Sequence, residues 1–235
     1  MKLLLIGYGK MGKTIEKIAQ TRGHEIAGRI DVGDDFLHAD LHADVAIEFT
    51  QPEAAVANLK TCFDKGIPVV CGTTGWLHHK HEIEDHCQKK NGTLLYSSNF
   101  SLGVNLFFKL NEYFATLMAR YSQYEVSIDE THHTQKKDAP SGTAISLAEG
   151  MIKNLKRKKE WHLGASDNPS ALVINSFRVD PAPGTHTVKY KSEVDDIEIT
   201  HTAHSREGFA LGAVLVAEWL KGKKGVFTMD DFLKL

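Results

Sequence analysis

Cysteine is scarce in this chain, neither sign of charge dominates, and long apolar runs are missing. Three cysteines occur in 235 residues, Cys62, Cys71 and Cys87. They are odd in number and form no Cys-x-x-Cys pair, which fits buried or idle thiols in a reducing cytosol. A formal net charge of -2 gives no broad footprint for nucleic acid or anionic lipid. The apolar run after Met1 and Lys2 ends at Ile6, far short of a membrane span and without a signal-peptide cleavage pattern. Internal repeats, low-complexity tracts and long linkers are absent too. These absences predict a soluble, cytoplasmic chain whose partner is a small molecule, with no nucleic acid and no membrane. The length suffices for one large domain or two small ones.

What is present begins with Gly7-Tyr8-Gly9-Lys10-Met11-Gly12 directly after the apolar run Lys2–Ile6. A helix pattern over 10–21 follows, then a strand pattern over 25–30 that ends at Asp31. Alone, G-x-G-x-x-G is as consistent with a structural turn as with a nucleotide site. Strand, glycines, helix, strand and acid in register make it the dinucleotide fingerprint: tight turn, backbone approach to pyrophosphate, helix N-terminus facing its charge, and Asp31 on the ribose hydroxyls. Val32 follows Asp31, and the nearest positive charges are Arg29 and Lys10. The cofactor expected is therefore NADH, with NADPH tolerated.

Further alternation of strands (45–50, 68–71, 93–96) with helices (52–65, 103–120) predicts an α/β, Rossmann-type doubly wound parallel sheet. Ligands of such sheets gather at the carboxyl ends of strands. Those ends carry Phe49-Thr50, Gly72-Thr73-Thr74-Gly75 and Ser97-Ser98-Asn99-Phe100. Strand patterns at 171–178, 186–191 and 196–203 join 124–130 in a separate, mainly antiparallel sheet, and Gly208 to Lys221 forms a last long helix ended by Gly222. The basic run Lys153 to Lys159 reads as a solvated helix end. His78, Glu82 and His86 would share a helix face at i, i+4 spacing, but one exposed helix seldom encloses a metal, and no metal site is expected.

The densest chemistry lies in Glu130-Thr131-His132-His133-Thr134-Gln135-Lys136-Lys137-Asp138-Ala139-Pro140-Ser141-Gly142-Thr143-Ala144. This reads as a loop between a strand and a helix over 144–155. Imidazole can give or take a proton near neutral pH. Ser141 is positioned as helix N-cap, leaving the amides of Gly142 and Thr143 free for an anion such as a carboxylate.

The segment resembles the signature of the dihydrodipicolinate reductase (4-hydroxy-tetrahydrodipicolinate reductase) family, Glu-x-His-His-x-x-Lys-x-Asp-Ala-Pro-Ser-Gly-Thr-Ala, at every fixed position. Asn99-Phe100-Ser101-Leu102-Gly103-Val104-Asn105 matches a second family segment. The resemblance implies reduction of the dicarboxylate 4-hydroxy-tetrahydrodipicolinate with NAD(P)H in lysine and diaminopimelate biosynthesis. It implies His132 as acid/base and Lys136 as proton donor. His133, Gly142 and Thr143 would hold substrate. Gly72, Thr73, Thr74, Ser97, Ser98, Asn99 and Phe100 would join the glycine turn (Gly7, Tyr8, Gly9, Lys10, Met11, Gly12) and Asp31 around the cofactor. It further implies a homotetramer built on the second sheet, and a discontinuous dinucleotide domain (1–100 with 207–235) around an α+β substrate and oligomerisation domain (101–206) with a mixed or antiparallel sheet. The family's Arg-x-Gly-Asp-x-x-Gly-x-His reads here Arg178-Val179-Asp180-Pro181-Ala182-Pro183-Gly184-Thr185-His186, with Gly-Asp replaced by Asp180-Pro181. Two rivals share the glycine turn: a nucleotide-binding sensor without turnover, which would not need the His132/Lys136 loop, and another Rossmann oxidoreductase such as an aspartate dehydrogenase.

Overall fold

In the computed structural model, which describes residues 1–39, 41–205 and 207–234, the run Lys2–Ile6 is strand β1, followed by α1 (Lys10–Thr21) and β2 (Glu25–Ile30). Then come β3 (Val45–Glu48), α2 (Pro52–Asp64), β4 (Val69–Cys71), a 3-10 turn running into α3 (Lys80–Lys89), and β5 (Thr93–Tyr96). The middle of the chain supplies α4 (Leu102–Met118), β6 (Glu125–His132), α5 (Gly142–Asn154), β7 (Glu160–Leu163), β8 (Ala171–Arg178), β9 (Gly184–Lys191) and β10 (Asp196–Ala203). The chain closes with α6 (Glu207–Leu220), β11 (Gly225–Phe227) and α7 (Met229–Leu233). Two units result, one from residues 1–102 with the segment from Glu207 onward, the other from 103–205.

The first unit holds a six-stranded sheet in the order β11-β5-β4-β3-β1-β2, parallel throughout. Successive side chains of a strand point to opposite faces. Leu3, Leu5, Val45, Ile47, Val70 and Leu95 accordingly join Ile15 and Ala19 of α1 and Ala213 and Val216 of α6 in one core. Leu4, Ile6, Ala46, Val69 and Leu94 pack with Leu59 of α2 and Ile83 of α3 in another. Burial on both faces is why these strands read as continuous apolar runs rather than alternating ones. Helix α6 enters its core closely: a Cβ on Gly212 would stand 1.7 Å from the Phe100 carbonyl oxygen.

The second unit is a five-stranded sheet, β10-β9-β6-β8-β7. It is mixed rather than mainly antiparallel, since β6, β8 and β7 run parallel while β9 is antiparallel to both β6 and β10. One face packs Val126, Ile128, Leu172, Ile174, Val188 and Tyr190 against Phe107 and Met118 of α4 and Leu147 and Met151 of α5. The basic run is not a solvated helix end. Helix α5 stops at Asn154, and Lys158 is buried, its Nζ donating to the carbonyls of Pro169 (2.9 Å) and Ala171 (2.8 Å) and pairing with Glu125. Strand β7, just beyond, gives no alternation signal because its residues are half-buried to exposed.

Candidate active site

The sheet order of the first unit reverses between β1 and β3, where such sheets open a crevice at their carboxyl ends. Gly7 has φ +92°, and a Cβ there would lie 2.0 Å from the Phe49 carbonyl oxygen; one on Gly12 would lie 2.2 Å from that of Gly7. Gly9, by contrast, would meet nothing within 4 Å. It is the N-cap of α1 and offers no side-chain cap, so first-turn amides remain available beside open space. A cleft of about 440 Å³ opens there, lined by Gly7, Gly9, Asp31, Asp34, Thr50 and Gln51 among others. The donor set suits a dinucleotide: bare backbone for pyrophosphate and an exposed carboxylate at the end of β2.

The side chains of Tyr8 and Met11 are engaged away from the cleft. Tyr8 donates to Glu16, whose carboxylate also takes the Arg29 fork, and Arg29 with Tyr8 holds the Glu16 carboxyl below its usual range. Arg29 is thereby engaged. Met11 packs against the core, and Lys10 is exposed. Asp34 accepts from the Asp31 amide at 2.8 Å and brings a second carboxylate to the cleft, which no motif in the sequence announces. At the wall, Thr73 Oγ1 accepts from the Thr50 amide (2.7 Å), and the Gly72 Cα lies against the Phe49 ring. Thr74 and Ser98 are exposed. Ser97 and Asn99 bond each other, and Phe100 puts its ring into the core, 5.8 Å from that of Phe49.

In the second unit, β6 runs two residues further than the sequence pattern predicts. It is paired on both sides, Thr131 opposite Thr185 and His132 opposite Arg178, so His132 sits on the sheet's end rather than on the loop. The loop proper begins at His133, whose Nδ1 is buried with no hydrogen-bond partner among the described residues. Lys136 Nζ lies 2.8 Å from both oxygens of Asp138. Ser141 caps α5 as expected, its Oγ accepting from the Ala144 amide at 3.2 Å. Gly142 is exposed with nothing near its Cα substituent position. Ser141 Oγ also lies 3.0 Å from His186 Nε2.

Glu130 is completely buried beneath these groups. Its Oε2 faces His132 Nδ1, while Oε1 takes two Arg178 donors at 3.1 Å. Burial works to raise its pKa, but His132, Ser176 and Arg178 outweigh it and hold the carboxyl at about 2. Burial and then the neighbouring His132 push His186 down to about 4, so it is neutral near pH 7. Asp180, the departure from the family pattern, accepts from the Thr134 amide (3.1 Å) and hydroxyl (2.6 Å) and ties the loop to the end of β8. Glu130, His132 and His186 converge within 4.8 Å, yet the Arg178 guanidinium already supplies the positive charge that a cation would bring. The helix patch at His78 does not converge: Glu82 pairs with Lys60 and His79, and His86 with Asp64 at 3.0 Å.

Residues 1–100 match the family described as dihydrodipicolinate reductase, N-terminus, and residues 103–233 that described as dihydrodipicolinate reductase, C-terminus. The chain belongs to the dihydrodipicolinate reductase family. It is 50% identical over 236 residues to a 4-hydroxy-tetrahydrodipicolinate reductase of Christiangramia forsetii, covering 99% of this chain and 98% of the relative. One from Archaeoglobus fulgidus is 36% identical over 255 residues, with 96% of each covered. The fold matches a dipicolinate-bound dihydrodipicolinate reductase from Paenisporosarcina sp. TG-14 with a TM-score of 0.77 at 19% identity, covering 97% of each chain. Among the described residues of this reductase-family chain, no helix is long and apolar enough to cross a membrane.

Proposed function

We propose that the chain reduces 4-hydroxy-tetrahydrodipicolinate to tetrahydrodipicolinate with NAD(P)H, a step of lysine and diaminopimelate biosynthesis. The observation that carries this reading is the composition of one segment from the end of β6 to the start of α5: His132, His133, Lys136 and the open start of α5 lie within 12 residues (132–143) of a chain half identical to a relative named for that reaction.

The bound nicotinamide supplies the hydride. Gly7 and Gly9 with the first-turn amides of α1 receive pyrophosphate, and Asp31 accepts from ribose hydroxyls. Tyr8, Lys10, Met11, Gly12, Gly72, Thr73, Thr74 and the run Ser97 to Phe100 are assigned to the same site on family correspondence. The amides of Gly142 and Thr143 receive a substrate carboxylate, and His133 donates to it or to its neighbour. After loss of the 4-hydroxyl as water, reduction at ring C4 drives an electron pair through the conjugated ring, and that charge must be met by a proton. Lys136 donates it, and His132 serves as the acid/base that restores the site.

NADH is the preferred cofactor in this reading. A 2′-phosphate would enter beside both Asp31 and Asp34, next to the apolar, exposed Val32, while Arg29 is committed to Glu16. The enzyme works in the cytoplasm as a homotetramer joined through the five-stranded sheet. The decisive assay follows NADH absorbance when freshly generated substrate is added to the purified chain; absence of substrate-dependent oxidation of NADH or NADPH rejects the reading.

A further inference from the structure

One guanidinium on β8 ties strand β6 to the loop that follows it. Arg178 NH1 and NH2 fork onto Oε1 of Glu130, NH2 also donates to the Asp138 carbonyl (2.6 Å), and Nε to that of Lys136 (3.3 Å). The two carboxylate oxygens of Glu130 thus have separate duties: Oε1 belongs to Arg178, and Oε2 faces Nδ1 of His132. His132 Nε2 lies against Gly184, where a Cβ would stand 3.0 Å away. A planar fork with five fixed donors can hold a carboxylate and two carbonyls at once, which a lysine cannot.

We infer that Glu130 and Arg178 are positioning residues of the proton-transfer loop, Glu130 fixing the His132 ring with its proton on Nδ1 and Arg178 fixing both Glu130 and the backbone that carries Lys136. The inference rests on the reading of His132 and Lys136 given above and names residues that neither touch substrate nor move a proton. A buried carboxylate against one imidazole nitrogen leaves the other nitrogen unprotonated and available, the logic by which a third group orients a base. The fold contributes the pairing: Arg178 stands opposite His132 in the β6–β8 register, so one ladder aligns imidazole and guanidinium over the same carboxylate. Lys136 and Asp138, whose side chains pair with each other, have their carbonyls anchored by the same group.

The test uses the full chain and three measurements. Ring-nitrogen NMR of His132 in the unaltered protein at pH 8 should show the Nδ1-protonated tautomer, and Glu130→Gln should lose that preference. Steady-state kinetics of Glu130→Gln and Arg178→Ala should show kcat lower by on the order of a hundredfold with the NADH dissociation constant unchanged. Guanidinium ion should restore several-fold activity to Arg178→Ala where equal sodium chloride does not. An Nε2-protonated His132 in the unaltered protein overturns the inference even if both variants fail to fold. So do folded variants with full kcat, or an Arg178→Ala enzyme indifferent to guanidinium. Failure of the underlying reading has a different signature, His132→Gln at full kcat.

Discussion

Lys136 Nζ sits 2.8 Å from each oxygen of Asp138. The ammonium holds that carboxyl below its usual range, although Asp138 itself is mostly exposed. Lys136→Ala should lower kcat on the order of a hundredfold while NADH binding stays nearly intact, and so should His132→Gln. Asp138→Asn removes only the anchor and should lower kcat about tenfold. Stopped-flow turnover beside fluorescence titration of NADH separates the two effects, and unchanged turnover in both Lys136→Ala and His132→Gln rejects the assignments.

Gly184 sits so close to His132 that an added methyl must displace the ring by a few tenths of an ångström. Gly184→Ala should lower kcat several-fold and the melting temperature by several degrees, since the methyl meets the His132 ring and the backbone at φ +157° is one that only glycine adopts without strain. Normal kcat in the folded variant would contradict this.

Acid stability follows from two depressed groups. His186 has a folded pKa of about 4 against an ordinary 6.5, so between those values the unfolded chain binds a proton that the folded chain refuses. Stability is full above pH 6.5 and falls toward pH 4, by on the order of 3 kcal/mol. Glu130, depressed from 4.5 to about 2, adds a second loss as pH drops through that lower window. Melting temperature measured against pH should decline from about pH 6.5, and His186→Gln should flatten the upper part of the decline.

Much of this was legible in the chain. Strands buried on both faces, such as Lys2–Ile6, announce themselves as apolar runs, and the helix stop and cap residues at Gly222 and Ser141 act locally, so neighbours in sequence suffice to read them. Less legible was whatever depends on distant partners. Lys158 looks like a surface charge until the carbonyls of Pro169, in the turn before β8, and Ala171, its first residue, close on it. His132 looks like a loop residue until β8 and β9 extend β6 beneath it. Asp34 carries no motif because its role depends on how the chain turns back to the Asp31 amide.

Lys158 gives a stability test. Lys158→Met keeps the stem but leaves the carbonyls of Pro169 and Ala171 without their donor, and should cost about 2 kcal/mol, or roughly 5 °C in melting temperature. Calorimetry of the variant checks it, and an unchanged transition would show the carbonyls satisfied by other means.

Cofactor choice can be moved at one position. Val32, almost wholly exposed beside Asp31, is where a basic side chain would meet a 2′-phosphate. Val32→Arg should raise kcat/KM for NADPH relative to NADH by about tenfold. Paired rate measurements with the two cofactors read the ratio directly.

Helix α6 places Ala210, Ala213, Val214 and Leu220 in the same core as β1, β3 and α1, and β11 extends the sheet beside β5. During translation, therefore, the opening hundred residues emerge with one flank of their sheet bare. Apolar surface on that side stays uncovered until α6 and β11 have been made, which favours association over independent folding of a chain stalled halfway.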